Sequence, residues 1–295
     1  MRVGIVGYGN VGKALKSCVE SMPDLQLIGV FSRRKLTLDK YIPFKDLQKY
    51  RGKIDVLLVA LGSYDDIAQN VENFVGFDTV DCFDTHGKIA PYKALVGKLN
   101  SKNLSIVATG WDPGLLSLVR ALFCMETPPT TLWGEGVSQG HSNAVRSIPE
   151  VIDAVQFTLP VHNAMQLIAD GKNTPYNLHK RVCYVACVDG AQQKVEQQIK
   201  RMPHYFDGYD TTVVFCTPHE VRKQKQKTTH KGKVVAIGQD YRCTGEVCMQ
   251  NNAQFTAKIM IRYAKMLPKL KQDGYLGAVD VLDIPLRYLT QKDVL

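Results

Sequence analysis

Arg2-Val3-Gly4-Ile5-Val6-Gly7-Tyr8-Gly9-Asn10-Val11-Gly12 is the stretch that decides the fold. Arg2–Val6 reads as a buried strand and Gly7–Gly12 as a G-x-G-x-x-G turn. Apolar residues at Val11, Ala14, Leu15, Cys18, Val19 and Met22 then recur with the period of a helix. Strand, glycine turn and helix in that order are what a dinucleotide pyrophosphate requires. The first glycine permits the tight turn, the second lets backbone approach phosphate, and the third lets helix pack closely on strand. The start of the helix offers N–H groups and the positive end of a dipole to the anion. Gly7, Tyr8, Gly9, Asn10, Val11 and Gly12 are therefore expected to hold a dinucleotide; a structural glycine turn in an unrelated α/β protein is the alternative.

The end of the next strand refines the cofactor. Leu25–Phe31 reads as that strand and Ser32-Arg33-Arg34 follows it. NAD enzymes carry Asp or Glu roughly 20 residues past the glycines to bind the ribose 2′-OH. A hydroxyl and two guanidiniums stand here instead, a set that suits a 2′-phosphate. The expected cofactor is NADP(H), with a solvated basic loop as the plain alternative.

The first third alternates strand and helix: a strand at Ile54–Leu61, a helix over about 65–75, a strand at Thr79–Phe83, a helix over about 89–99 and a strand at Leu104–Thr109. That alternation predicts right-handed crossovers and a doubly wound, Rossmann-type parallel sheet. Ligands lie beyond the carboxyl ends of such strands, which marks Gly62-Ser63, Asp84-Thr85-His86 and Gly110-Trp111-Asp112 as site loops. After Pro113 the character changes. A helix near 115–124 leads into Trp133–Ser142, which reads as a glycine-rich loop without strand alternation. Longer β segments with fewer helices follow, predicting a second α+β domain with an open, mixed or antiparallel sheet. The expected domains are 1–114 and 115–269, with about 270–295 returning to the first.

The chain has 295 residues, enough for two cores. No apolar run approaches the roughly 20 residues of a membrane span, and no apolar signal region follows Met1. The eight cysteines form no C-x-x-C and mostly fall in apolar patterns. Reduced thiols in a soluble cytoplasmic enzyme, with no metal site, are the expectation. The net charge of +9 is concentrated in Arg222–Lys233, a run without aromatics that reads as a solvated hairpin or loop, so no nucleic-acid partner is expected. A positive field instead favours polyanionic cofactors and dicarboxylic substrates.

Val6–Gly12, Phe31–Arg34, Thr109-Gly110-Trp111-Asp112-Pro113-Gly114, Ser138-Gln139-Gly140-His141-Ser142, Phe157–Pro160 and His179-Lys180-Arg181 together resemble the meso-diaminopimelate dehydrogenase family over nearly the whole chain. The resemblance implies a Rossmann-type domain plus a mixed-sheet domain for substrate binding and homodimerisation. It implies NADPH-dependent reductive amination of tetrahydrodipicolinate by ammonia to meso-2,6-diaminopimelate, and the reverse deamination at the D centre. The implied cofactor residues extend from the glycine turn to Ser32, Arg33, Arg34, Gly62, Ser63, Tyr64, Phe83, Asp84, Gly110, Trp111, Asp112, Pro113 and Gly114.

By the same resemblance Asp84 and Asp112 would hold the amino group of the reacting D centre, as binding groups or as general base. Arg181, Thr158 and His230 would receive the distal carboxylate and Asn252 the distal amine. Trp133 would pack on the methylene chain, and Gln139-Gly140 would donate backbone N–H groups to the nearer carboxylate. Each has a plainer reading: helix capping for Asp112 and Asn252, β propensity for Thr158, core for Trp133, a solvated strand position for Arg181. The stretch around His230 departs from the His-Gly-Gly-His-like run of some members. No catalytic role is expected for His86 or His141. Rival readings are another NADP-dependent oxidoreductase of this fold, such as a dihydrodipicolinate reductase or homoserine dehydrogenase, and a cofactor-binding regulator without turnover.

Overall fold

Val3, Ile5 and Val6 are completely buried in the first strand, β1 (Arg2–Val6), and the first of two compact units is built outward from it. The structure, a computed structural model, describes residues 1–62, 66–203, 205–226 and 229–290. After the glycine turn come α1 (Asn10–Glu20), β2 (Gln26–Ser32), β3 (Tyr41–Pro43) and β4 (Val56–Val59). Then follow α2 (Asp66–Gln69), β5 (Thr79–Asp81), α3 (Ile89–Leu99), β6 (Leu104–Ile106) and α4 (Leu115–Phe123).

In the second unit, Leu122–Asn252, are β7 (Thr130–Trp133), β8 (Gly136–Val137), α5 (Gln139–Arg146), β9 (Val151–Pro160), α6 (Ala164–Ala169) and β10 (His179–Cys187). α7 (Gln192–Lys200), β11 (Asp210–Phe215), α8 (Pro218–Lys225), β12 (His230–Ile237) and β13 (Arg242–Met249) complete it. From Ala253 the chain belongs to the first unit again, through α9 (Asn252–Gln272) and β14 (Gly277–Val279).

The first unit holds a seven-stranded sheet in the order β14-β6-β5-β4-β1-β2-β3, parallel at every pairing. Alternate side chains feed two cores, as strand pleating requires. Val3, Ile5, Val56 and Leu58 face the core that includes α1 and α9, whereas Val6, Leu57 and Val59 face Phe31, Ile67, Phe74 and Tyr92. Burial on both faces explains why these strands read as continuous apolar runs. The second unit holds a four-stranded mixed sheet, β11-β10-β9-β8, in which only β10 and β11 run parallel, and a three-stranded antiparallel sheet, β13-β12-β7.

Several local expectations change. The helix expected over 65–75 is the short α2 followed by a 3-10 turn at Val71–Phe74. Trp133–Ser142 is not a loop: it contributes the last residue of β7, all of β8 and the start of α5. Those strands are too short to show a period of two. The basic run is not a hairpin either. Thr217 and Glu220 form a capping box with Pro218 behind it, so Arg222–Lys225 continue α8 with Val221 buried, and His230–Lys233 open β12. The first unit takes back the chain at Ala253 rather than near residue 270, because Ala257, Met260, Ile261, Ala264 and Leu267 of α9 are buried in its core. All eight cysteines are free thiols, and burial pushes the Cys183 thiol up to about 12. No helix among the described residues is long and apolar enough to cross a membrane.

The β1–α1 junction fixes how the cofactor end is built. Gly7 has φ +94°, and a Cβ on it would lie 2.4 Å from the Ala60 carbonyl oxygen. A Cβ at Gly12 would lie 2.2 Å from the Gly7 carbonyl oxygen, so α1 would be pushed off β1. Gly12→Ala should therefore lower stability by about 1–3 kcal/mol and weaken NADP+ binding, read by thermal melts and a fluorescence titration. Unchanged values in both would show that this contact does not set the junction.

Candidate active site

The dinucleotide end has the form its chemistry requires. Gly9 precedes α1 without a side-chain capping bond, and the first turn of α1 carries no acidic residue. A Cβ on Gly9 would meet nothing within 4 Å, so open space lies where phosphate must approach. The N-terminus of α1 thus presents amides and a positive dipole end to that space. The Lys13 ammonium lies 5.9 Å from the Tyr8 ring centre. Ser32 is buried, and its Oγ accepts the Arg34 amide at 3.1 Å. Arg34 is exposed, while Arg33 pairs with Asp66 at 2.6 Å. The Arg33 side chain is 58% exposed, and ion pairs of that kind contribute little, so a phosphate dianion competes readily for it. Gly62 packs against Asp66; Ser63 and Tyr64 lie outside the described residues.

Two further loops leave the carboxyl ends of β5 and β6. Phe83 is buried and stacks on Tyr92 with ring centres 4.4 Å apart, and Asp84, next to it, is exposed. After β6, Gly110–Gly114 makes a turn in which a Cβ on Gly114 would lie 1.9 Å from the Gly110 carbonyl oxygen. Trp111 and Pro113 are buried there. The Asp112 side chain is 1% exposed, and its Oδ1 accepts a 2.6 Å bond from Arg120 of α4. Arg120 also bonds Ser117 at 3.0 Å, and His86 Nε2 lies 3.9 Å from Asp112 Oδ1. The Asp84 loop and the Asp112 turn therefore meet through His86. Arg120 was absent from the expected site; its only sequence signal is a cation two turns further on, inside a helix.

The second unit gathers the residues assigned to the distal end. Antiparallel pairing of β9 with β10 sets Thr158 opposite Arg181. Arg181 is 9% exposed, which excludes a solvated strand position. Its Nη1 donates to Thr158 Oγ1 at 2.8 Å and its guanidinium lies over the Tyr209 ring at 4.3 Å. Thr158 Oγ1 also accepts Gln156 Nε2 at 3.3 Å. Two accepted bonds fill its lone pairs and leave its O–H to donate onward. Pairing of β8 with β9 sets Gly136 against Thr158, and a Cβ on Gly136 would lie 1.6 Å from His230 Nδ1. Only glycine lets the His230 ring lie there, so Arg181, Thr158 and His230 form one cluster.

Trp133 is half-buried, and its amide donates to His179 Nε2 at 2.9 Å, with the two rings 5.5 Å apart. Gln139 and Gly140 are exposed in the first turn of α5, where no side chain caps the helix. Asn252 is the first residue of α9. His141 shares a 2.8 Å hydrogen bond with Ser138 Oγ and lies edge-on to Tyr205 and Phe206. Burial, then the Arg181 charge, pushes His141 down to about 3 and His179 down to about 4. Burial likewise lowers the Arg181 pKa. His179 and Tyr209 were not expected in this region. His179 lies two residues before Arg181 on the same strand, a spacing that places both on one face.

A parallel nucleotide sheet with a phosphate cradle, joined to a unit that buries a guanidinium among hydroxyl and ring partners, defines a pyridine-nucleotide oxidoreductase acting on an anionic substrate. The family model for the diaminopimelic acid dehydrogenase C-terminal domain matches residues 110–254. The chain is 37% identical over 313 residues to a meso-diaminopimelate D-dehydrogenase from Ureibacillus thermosphaericus, covering 99% of this chain and 96% of that protein. A solved structure of C. glutamicum DAP dehydrogenase in complex with DAP matches at TM-score 0.90 and 32% identity, covering 100% of this chain and 97% of that one. An engineered D-amino acid dehydrogenase bound to NADP+ matches at TM-score 0.86 and 31% identity over the same shares. The chain belongs to the meso-diaminopimelate D-dehydrogenase family.

The depressed histidines tie stability to pH. Their folded pKa values lie below the ordinary value of 6.5, so between these limits the unfolded chain binds more protons. Their contribution is complete above pH 6.5 and is lost as pH falls toward 4 and then 3. A protonated His179 also cannot accept the Trp133 amide. Melting temperature should fall through this window, and less steeply in His179→Gln, which keeps an acceptor without a titrating group. Equal slopes for the two proteins would refute the assignment.

Proposed function

We propose that this protein catalyses the reversible, NADP+-dependent oxidative deamination of meso-2,6-diaminopimelate at its D-configured carbon, giving L-tetrahydrodipicolinate, ammonia and NADPH. The observation that carries this reading is the buried Arg181 guanidinium. Its partners among the described residues are a hydroxyl and a phenol ring rather than a carboxylate, so its charge awaits an anion.

The residues present fit NADP(H). The Gly7–Gly12 turn and the amides of α1 would hold its pyrophosphate, and Ser32, Arg33 and Arg34 its 2′-phosphate. Gly62, Phe83 and Gly110–Gly114 would flank the nicotinamide half, with Ser63 and Tyr64 assigned by family resemblance. When bound, the cofactor supplies the hydride acceptor or donor. Asp84 and Asp112 hold the D-centre amino group, and Arg120 offsets the Asp112 charge before the ammonium arrives. Proton loss from that ammonium, to a carboxylate or to solvent, must precede hydride removal, so oxidation rises toward alkaline pH. Water then attacks the oxidised carbon, ammonia leaves, and ring closure of the amino-keto acid releases the water again.

At the other end Arg181 clamps the L-centre carboxylate, with Thr158 and His230 as further donors and Asn252 on the second amine. Trp133 packs along the methylene chain, and the Gln139 and Gly140 amides meet the nearer carboxylate. Fixing one end by cations and the other by anions brings only the D-configured carbon to the hydride acceptor. In this reading the enzyme is a cytoplasmic homodimer whose second unit supplies the partner surface.

Steady-state kinetics read both ends. Arg181→Met leaves a desolvated carboxylate without its partner, roughly 2–5 kcal/mol. It should lower kcat/KM for meso-diaminopimelate at least about tenfold while raising relative activity toward D-amino acids with apolar side chains. Replacing Arg33 and Arg34 together by Ala should raise KM for NADP+ and leave NAD+ use nearly unchanged. An unaltered substrate profile would remove Arg181 from the site, and equal use of NADP+ and NAD+ by the unmodified protein would overturn the cofactor assignment.

A further inference from the structure

We propose that Asp81 is a positioning residue for the reaction: its buried carboxylate staples the loop carrying Asp84 to the turn carrying Asp112. The inference rests on the reading above, in which those two carboxylates hold the reacting amine. Asp81 ends β5 and is 2% exposed. Its Oδ1 accepts the Phe83 amide and the Ala108 amide, each at 3.0 Å, and its Oδ2 accepts the Tyr92 phenol at 2.7 Å. Its own carbonyl accepts the Thr109 amide at 2.9 Å and the Thr109 hydroxyl at 2.7 Å. One residue thus ties together the start of the Asp84 loop, the segment leading into the Asp112 turn, and α3.

The backbone shows why a staple is needed there. β5 and β6 pair as a parallel ladder at Thr79–Ser105 and Val80–Ile106, and the pairing ends at that point. Two residues on, Ala108 adopts φ +57°, alone among the described non-glycine residues in having a positive φ. That conformation is unfavourable for an L-residue, and the Ala108 amide is one of the two that Asp81 Oδ1 accepts. The side chain therefore continues, in a different geometry, the hydrogen bonding that the ladder gives up. Phe83 is the residue before Asp84, and Thr109 lies three residues before Asp112, so both acids leave from anchored backbone.

Burial pushes the Asp81 carboxyl up and the Tyr92 phenol well up. Sequestering such a group is costly, and a neutral core would be cheaper if holding the sheet together were its whole purpose. A second aspartate on the same strand pair provides the comparison. Asp78, at the amino ends of β5 and β6, accepts the Leu104 amide at 2.9 Å and pairs with Lys271 at 2.6 Å. It joins the same two strands at the end opposite the Asp84 and Asp112 loops.

The test compares Asp81→Ala, Asp81→Asn and Asp78→Ala in the full chain, measuring melting temperature, kcat for meso-diaminopimelate and KM for NADP+. Misplacement of reacting groups by an ångström costs up to about a hundredfold in rate. On that scale Asp81→Ala should lose at least about thirtyfold in kcat. Its NADP+ KM should change far less than kcat, because the glycine turn and Arg33-Arg34, which would hold the phosphates, are untouched and only the nicotinamide flank shifts. Asp81→Asn keeps the Oδ1 acceptor and can donate to the Tyr92 oxygen, so it should restore kcat to within about threefold. Asp78→Ala should lose melting temperature yet keep kcat. A folded Asp81→Ala with the kcat of Asp78→Ala overturns the proposal. If Asp81→Ala does not fold, Tyr92→Phe decides: a several-fold fall in kcat that exceeds any change in NADP+ KM supports the staple, and an unchanged kcat overturns it. An unmodified protein inactive on meso-diaminopimelate overturns the proposed function and this inference with it; an active protein insensitive at Asp81 and Tyr92 overturns the inference alone.

Discussion

A guanidinium held away from water, with no carboxylate partner among the described residues, is the constraint around which the second unit is arranged. Removing such a charge from water costs several kcal/mol, and a hydroxyl and an aromatic face recover only part of it. The surroundings bear the mark of that charge. His141 and His179 stay neutral partly because Arg181 is positive, and neutral His179 in turn accepts the Trp133 amide. Thr158 is oriented by the bonds it accepts, and Gly136 is a glycine because His230 occupies the space its Cβ would need.

The first unit solves a different problem with different means. A pyrophosphate is held chiefly by backbone amides, so what the sequence must supply is space, and Gly7, Gly9 and Gly12 supply it. Side-chain charge enters only at the edges, where Arg33 and Arg34 follow β2. Acidic side chains, Asp84 and Asp112, lie beyond β5 and β6, and Asp112 is paired with Arg120.

The legible and the illegible parts of this molecule divide along a physical line. The glycine turn was readable because its requirement is local: three missing side chains within six residues, between an apolar strand and an amphipathic helix. The parallel sheet was readable because burial on both faces leaves continuous apolar runs. Arg181 and Thr158 were found through family resemblance, and the register of β9 with β10 supplies the physical reason they belong together. Short elements escaped: β8 has two residues, too few for any period, and the cap that starts α8 was masked by the lysines after it. Buried polar contacts escaped as well. Arg120, His179 and Asp81 look in sequence like ordinary helix or strand residues, and only packing shows that their partners are Asp112, the Trp133 amide and the Ala108 amide.

The central claim is that charge at both ends of the substrate selects which carbon is oxidised. The most direct measurement is NADP+ reduction with the separate meso, L,L and D,D stereoisomers of 2,6-diaminopimelate at equal concentration. Two-ended recognition predicts that the meso isomer is oxidised, that the L,L isomer is not turned over, and that the D,D isomer is poor because its distal centre misplaces carboxylate and amine relative to Arg181 and Asn252. Oxidation of the L,L isomer at a rate comparable with the meso isomer would contradict the account.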